Sequence, residues 1–361
     1  MMQIGIVGGG AWGTALATAL RRADRDVLIW ARESEVVADI EQHHQNRLFL
    51  PGVALDPGIR ATTDLKRLGA AKAIVLVPPA QHLRSVLESL VPHLGPAIPI
   101  VVGTKGIEQG TRALMSEIVA DVAPGRPLAV LSGPTFASEV ARGLPTAVTL
   151  AARDGTLGQT LVAALGSRLF RPYLGHDVIG AELAGAVKNV IAIACGIVIG
   201  RGLGENARAA IITRGLAEIG RLVVAKGGLA ETLMGLAGLG DLALTCASLQ
   251  SRNTALGHAL GSGRTLAECT AGRRSVAEGL TTAAAVVALA ASLGVDMPIC
   301  RSVDAVLNHG ADLDATIAAL LARPFKTGNP NRQPRLRFDH AVRHPHPLQG
   351  RNRDRPRRRN Q

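Results

Sequence analysis

Residues 3–22 read QIGIVGGGAWGTALATALRR. A short apolar run ends in three glycines and passes directly into Ala, Leu and Thr at helical spacing. The run 3–8 predicts a buried strand and residues 11–22 a helix. Between them Gly8, Gly10 and Gly13 form G-x-G-x-x-G, with Ala11 and Trp12 inside the pattern. The first glycine permits a tight turn, the second lets backbone approach a ligand, and the third lets helix and strand pack closely. A helix N-terminus offers N–H donors and the positive end of a dipole, which suits a pyrophosphate. Alone the pattern is weak, but a strand before it and a helix after it make it a dinucleotide site.

The rest of the chain agrees with that start. Further strands are predicted at 26–31, 73–77, 98–102, 127–131 and 145–151, with helical patterns among them. Strands alternating with helices imply an α/β, Rossmann-type, doubly wound parallel sheet. After about residue 180 the texture changes, and no strand is predicted between 182 and 320. Ala/Leu/Ile/Val/Gly stretches of helical period cover 182–199, 206–226, 231–236, 253–260, 276–293 and 312–322. The expected organisation is a dinucleotide-binding domain at 1–180 and an all-α substrate domain at 181–322. Residues 323–361, with six prolines and no periodicity, read as a disordered basic tail.

Charge narrows the function. The chain has 361 residues and a formal net charge of +12. Residues 323–361 hold twelve Lys/Arg and two acids, so +10 of that belongs to the tail and the first 322 residues are nearly neutral. Aromatics are 2% of the chain, which argues against nucleic-acid binding on stacked aromatic platforms. The four cysteines, at 195, 246, 269 and 300, lack C-x-x-C spacing, so no zinc or redox motif is expected and no metal is assigned. Cys195 and Cys246 lie in apolar runs and read as buried hydrophobes. The N-terminus lacks the basic segment of a signal peptide. The longest apolar runs, near 190–200 and 283–295, fall short of a membrane span. A cytoplasmic location is expected.

Several residues are candidates for chemistry. The second strand ends Trp30-Ala31-Arg32, where a NAD site usually has an acid. An arginine there suits a 2′-phosphate, so NADPH is the expected cofactor. Glu33 follows directly and could bind a ribose hydroxyl, which keeps NADH as the alternative. Lys188 lies in GAVKNVIAIA, a helix otherwise almost wholly apolar. Burial there would lower its pKa and make it an acid/base, whereas a snorkelling lysine would stay charged. Lys105 sits in Gly-Thr-Lys-Gly just past the strand 98–102, where open parallel sheets bind ligands. Ser132-Gly133-Pro134-Thr135 follows another strand. Ser251-Arg252-Asn253 offers a helix cap beside a guanidinium, a phosphate cradle or a plain cap.

Ten segments in order carry a family resemblance: GGGAWGTALA (8–17), NRLFLPGV (46–53), VPPAQ (77–81), GTKGIE (103–108), SGPTFASEVARGLPTA (132–147), GAVKNVIAI (185–193), NARAAIITRGLAEI (206–219), GLAGLGDLALTC (235–246), QSRN (250–253) and VAEG (276–279). The chain resembles the bacterial NAD(P)-dependent glycerol-3-phosphate dehydrogenases. The resemblance implies a 6-phosphogluconate-dehydrogenase-like architecture and a cytoplasmic homodimer without metal. It implies reversible reduction of dihydroxyacetone phosphate to sn-glycerol 3-phosphate, the start of glycerophospholipid synthesis. It makes Lys188 the acid/base, in contact with substrate. It assigns Lys105, Gly133, Thr135, Asp241, Ser251, Arg252 and Asn253 to substrate. It assigns Gly8, Gly10, Ala11, Trp12, Gly13, Arg32, Lys105, Ala137, Arg252, Val276 and Glu278 to the cofactor. Asp241 is expected to orient either Lys188 or a glycerol hydroxyl.

The chain departs from the family pattern in four places. Ala11 stands where many relatives have serine, Pro78-Pro79 doubles a single proline, Glu33 replaces a second basic residue, and 324–361 match nothing. Two other readings compete: a β-hydroxyacid or ketopantoate-type reductase, which would lack QSRN with GLAGLGDL, and nucleic-acid binding through the tail.

Overall fold

The computed structural model describes residues 2–271 and 277–324. Among them eight strands form one sheet: β1 (Gln3–Val7), β2 (Asp26–Trp30), β3 (Ile59–Thr62), β4 (Ala73–Leu76), β5 (Ile100–Val102), β6 (Leu128–Ser132), β7 (Thr146–Ala151) and β8 (Phe170–Gly175). Their order is β3-β2-β1-β4-β5-β6-β7-β8. The central strands β4 and β5 are buried along their whole length, as continuous apolar runs covered on both faces should be. On one face Ile4, Ile6, Ile29 and Val75 pack with Leu16 and Leu20 of the helix Ala11–Arg21. On the other, Val7, Ile74, Leu76 and Val102 pack with Leu83, Leu87, Met115 and Ile118. The sheet is doubly wound, as expected.

Three features differ from the sequence reading. The pair β6–β7 is antiparallel, whereas every other neighbouring pair is parallel. The helix between them, Ala137–Arg142, spans only about 9 Å at 1.5 Å per residue, too short for a parallel crossover. The strands β3 and β8 were not predicted. They are the edges of the sheet, and exposed Arg60, Arg171 and Tyr173 break their apolar pattern. The helix Val178–Gly200 has 23 residues and is apolar enough to span a membrane, contrary to the count of uninterrupted apolar residues. Glu182, Lys188 and Asn189 interrupt the apolar residues, yet the mean hydropathy of the helix's most apolar stretch is 2.0. The protein itself buries 89% of the most apolar window, so this is a core helix.

That helix organises the helical half. Glu182 reaches across to Ser116, accepting from its N (2.7 Å) and Oγ (2.5 Å) at the start of the helix Met115–Val122. Burial pushes the Glu182 carboxyl up to about 7, against the pull of the two Ser116 donors. Further along, Gly196 and Gly200 face Gly257 and Gly261 of the helix Arg252–Gly261. A Cβ at Gly257 would lie 2.0 Å from the Ile193 carbonyl oxygen, and one at Gly196 would lie 2.1 Å from that of Thr254. The two backbones touch with no layer of side chains between them. Gly257→Ala should therefore force the helices apart and cost about 1–3 kcal/mol, as overpacking does. The urea midpoint reads this, and an unchanged midpoint would contradict the contact.

Among the described residues no disulfide forms, and all four cysteines are buried thiols. Residues 325–361, to which the disordered-tail expectation applies, lie outside the described residues.

Candidate active site

The glycine turn is built as the sequence implied. Gly8 has φ +126°, and a Cβ there would strike the Val77 main chain at 2.9 Å. A Cβ at Gly13 would lie 2.0 Å from the Gly8 carbonyl oxygen. At Gly10 a Cβ would meet no described atom within 4 Å, so the middle of the turn faces open space. Ala11 is the first residue of the helix, with Gly10 as its N-cap. The Trp12 indole Nε1 is buried without a partner among the described residues. An open face over a helix N-terminus, with a spare donor beside it, fits a dinucleotide. Arg32 lies just past β2 and is exposed, and its Nη2 sits 3.1 Å from Glu33 Oε1. The acid beside it thus offsets part of its charge.

The reactive cluster stands beyond the C-terminal ends of β5 and β6. Lys188 is 6% exposed. Its Nζ donates to Asp241 Oδ1 at 2.5 Å and to Thr245 Oγ1 at 2.8 Å. Lys105 Nζ donates to Asp241 Oδ2 at 2.7 Å and to the Gly133 carbonyl at 3.1 Å. One fully buried carboxylate therefore holds two ammonium groups, one on each oxygen. Burial, against the pull of the Asp241 carboxylate and with help from the Lys105 charge, leaves the Lys188 pKa lowered to about 8. Asp241 thus contacts Lys188 and Lys105 directly.

Gly133 has φ +152° and passes within 2.9 Å of the Val148 Cα if a Cβ is built on it. Thr135 Oγ1 donates to the Gly133 carbonyl at 3.2 Å. Ala137 opens the helix Ala137–Arg142. Ser251 caps the helix Arg252–Gly261 by accepting from Thr254 N at 3.3 Å. Arg252, the first residue of that helix, is exposed. Asn253 is buried, donating to Asn189 Oδ1 (3.0 Å) and accepting from Gly279 N (3.0 Å). Glu278 Oε2 accepts from Asn189 Nδ2 at 3.3 Å. Asn253 and Asn189, the neighbours of Arg252 and Lys188 in sequence, are thus bonded to each other across the two helices. Val276 lies outside the described residues.

Two sets of residues escaped the sequence reading. Thr245 completes the Lys188 pocket; it stands one helical turn after Asp241, and that i+4 spacing was its only signal. The loop carrying Lys105 is clamped by Gln81, which donates to the Ile107 carbonyl (2.8 Å) and accepts from Gln109 N (2.9 Å). Arg84 adds a forked bond to Glu108 at 2.9 and 3.0 Å.

Comparisons with known proteins identify the family. Residues 3–157 match the family described as NAD-dependent glycerol-3-phosphate dehydrogenase N-terminus, and 177–318 match the corresponding C-terminus. The glycerol-3-phosphate dehydrogenase (NAD(P)+) of Rhodospirillum rubrum is 58% identical over 325 residues, 90% of this chain and 93% of its own. That of Parvibaculum lavamentivorans is 54% identical, over 90% and 98%. The crystal structure of glycerol-3-phosphate dehydrogenase from Coxiella burnetii superposes with a TM-score of 0.86 at 42% identity, covering 89% of this chain and 99% of that one. Neither the other reductases nor nucleic-acid binding is favoured by these matches. With both halves matched and a relative 58% identical over nearly its whole length, the chain belongs to the NAD-dependent glycerol-3-phosphate dehydrogenase family.

Proposed function

We propose that this oxidoreductase interconverts dihydroxyacetone phosphate and sn-glycerol 3-phosphate through Lys188 as acid/base. The observation that carries the reading is the buried Lys188–Asp241–Lys105 cluster, with the Lys188 pKa lowered to about 8. A reduced nicotinamide supplies the hydride to C2. Lys188 Nζ gives its proton to the C2 oxygen in reduction and takes it back in oxidation. Asp241 keeps the ammonium aimed and lets it recharge near neutrality. Lys105, held to the same carboxylate, reaches both substrate and cofactor. The main chain at Gly133, with Thr135, lines the carbonyl side.

Arg252 at a capped helix N-terminus is the proposed phosphate anchor, with Ser251 and Asn253 beside it. The cofactor lies along Gly8–Gly13, with Arg32 toward a 2′-phosphate and Ala137, Arg252, Val276 and Glu278 around the nicotinamide half. The reading assigns cofactor binding to residues 1–180 and most of the substrate site to 181–322. NADPH is the proposed preference, and similar KM values for NADPH and NADH would end it. A cytoplasmic homodimer serving glycerophospholipid synthesis accords with the family resemblance.

The test compares dihydroxyacetone phosphate with unphosphorylated dihydroxyacetone. Arg252→Ala should lower kcat/KM for the phosphorylated substrate by about 10- to 100-fold, the worth of a charge-assisted hydrogen bond. It should leave the poor activity on dihydroxyacetone nearly unchanged. Equal losses on both substrates, or none, would show that the phosphate sits elsewhere.

A further inference from the structure

The segment NRLFLPGV (46–53) has no role in the reading above, yet it lies against the glycine turn. Asn46 is 1% exposed. Its Nδ2 donates to the Gly9 carbonyl oxygen at 2.8 Å and to Thr14 Oγ1 at 2.8 Å. Its Oδ1 accepts from Phe49 N at 3.1 Å, and its own carbonyl accepts from Leu50 N at 2.8 Å. The next residue, Arg47, is tied to Asp39 through its backbone N at 2.8 Å and its Nε at 2.9 Å. The carboxamide is therefore held on its own side before it holds the turn.

The geometry points to Asn46 as the positioning residue of the dinucleotide turn. In a trans peptide the carbonyl of one residue and the N–H of the next point in opposite directions. Fixing the Gly9 carbonyl toward Asn46 therefore turns the Gly10 N–H to the far side. Beside this part of the turn there is room for a ligand, since a Cβ at Gly10 would meet nothing within 4 Å. Asn46 thus aims a backbone donor at an approaching pyrophosphate without touching it. Thr14, on the first turn of the following helix, accepts the same amide group and ties turn to helix. An aspartate would fit the same space but lack the donor. Its oxygen would face the Gly9 carbonyl, and its charge would sit beside the cofactor's phosphates.

This inference rests on the cofactor placement proposed above, and the test separates the two. Equilibrium NADPH binding is followed by nucleotide fluorescence on the full chain, with thermal midpoints and steady-state constants measured in parallel. Asn46→Asp should raise the Kd for NADPH by about a hundredfold and Asn46→Ala by about tenfold, the latter being the scale of one lost hydrogen bond. KM for dihydroxyacetone phosphate at saturating NADPH should stay within twofold. Thr14→Val should weaken NADPH binding several-fold, and Thr14→Ser should restore it. That pair keeps the idea testable if the Asn46 variants do not fold. Gly13→Ala, which crowds the Gly8 carbonyl, is the control for the site. If Gly13→Ala binds NADPH normally, the cofactor placement itself falls. If it binds weakly while Asn46→Asp and Thr14→Val bind normally, or lose only thermal stability, the role of Asn46 falls alone.

Discussion

Lys188→Ala is expected to lower kcat by roughly a thousandfold in both directions, the usual worth of a positioned general acid/base. The Kd for NADPH should stay within about threefold, since Lys188 lies off the glycine turn. The fold should survive, because Asp241 keeps Lys105 as a partner. The wild-type pH profile carries a second expectation. Reduction needs the ammonium form of Lys188, so its kcat/KM should fall as pH rises through about 8. Oxidation needs the neutral amine, so its kcat/KM should rise through the same pH. A Lys188→Ala enzyme within tenfold of wild-type kcat would refute the role. Profiles that bend the same way in both directions would refute it as well.

Asp241→Ala should have the other large effect, and on two quantities at once. It removes a carboxylate that is fully buried and holds two ammonium groups. Breaking a buried ion pair from one side costs about 3–5 kcal/mol, because a charge is left without compensation. Lys188 can escape part of that cost by losing its proton, so its pKa should drop below its present value. The reductive rate at neutral pH should then fall by about a hundredfold or more, while the limb of its pH profile moves to lower pH. Asp241→Asn keeps the shape and an acceptor oxygen, so it should fold better than Asp241→Ala yet show the same downward shift. If the limb stays at about 8 in both variants, Asp241 does not govern the Lys188 proton.

What could be read from the sequence follows from how local each signal is. The glycine turn was legible because strand, turn and helix are contiguous, and each glycine has its own steric reason. Lys188 was legible as a lysine among apolar neighbours, though whether it was buried or snorkelling stayed open until packing was known. The meeting of Lys105, Lys188 and Asp241 was beyond any spacing rule, since they come from distant segments joined only by the fold. The family resemblance named these residues without showing that one carboxylate serves both lysines. Thr245 left only an i+4 hint. Strands β3 and β8 failed for a physical reason: they are short edge strands in which Arg60, Arg171 and Tyr173 face solvent between buried or half-buried neighbours, so neither shows the continuous apolar run that marks the inner strands. The helix Val178–Gly200 was legible over 182–199 from its period; only its full apolar length was missed, because Glu182, Lys188 and Asn189 are buried with the rest.

The glycine seam between Val178–Gly200 and Arg252–Gly261 sets a length. One helix carries Lys188 and the other begins at Arg252. Helices that slide past each other do so by re-seating side chains, and here backbone meets backbone with none to re-seat. The two helices therefore move as one body, whatever the sheet does when a cofactor arrives. On the roles proposed for Lys188 as proton donor and Arg252 as phosphate anchor, the seam would act as a fixed caliper: the span from carbonyl oxygen to phosphate would be set when the chain folds, and ketone phosphates with a longer or shorter reach should be poor substrates.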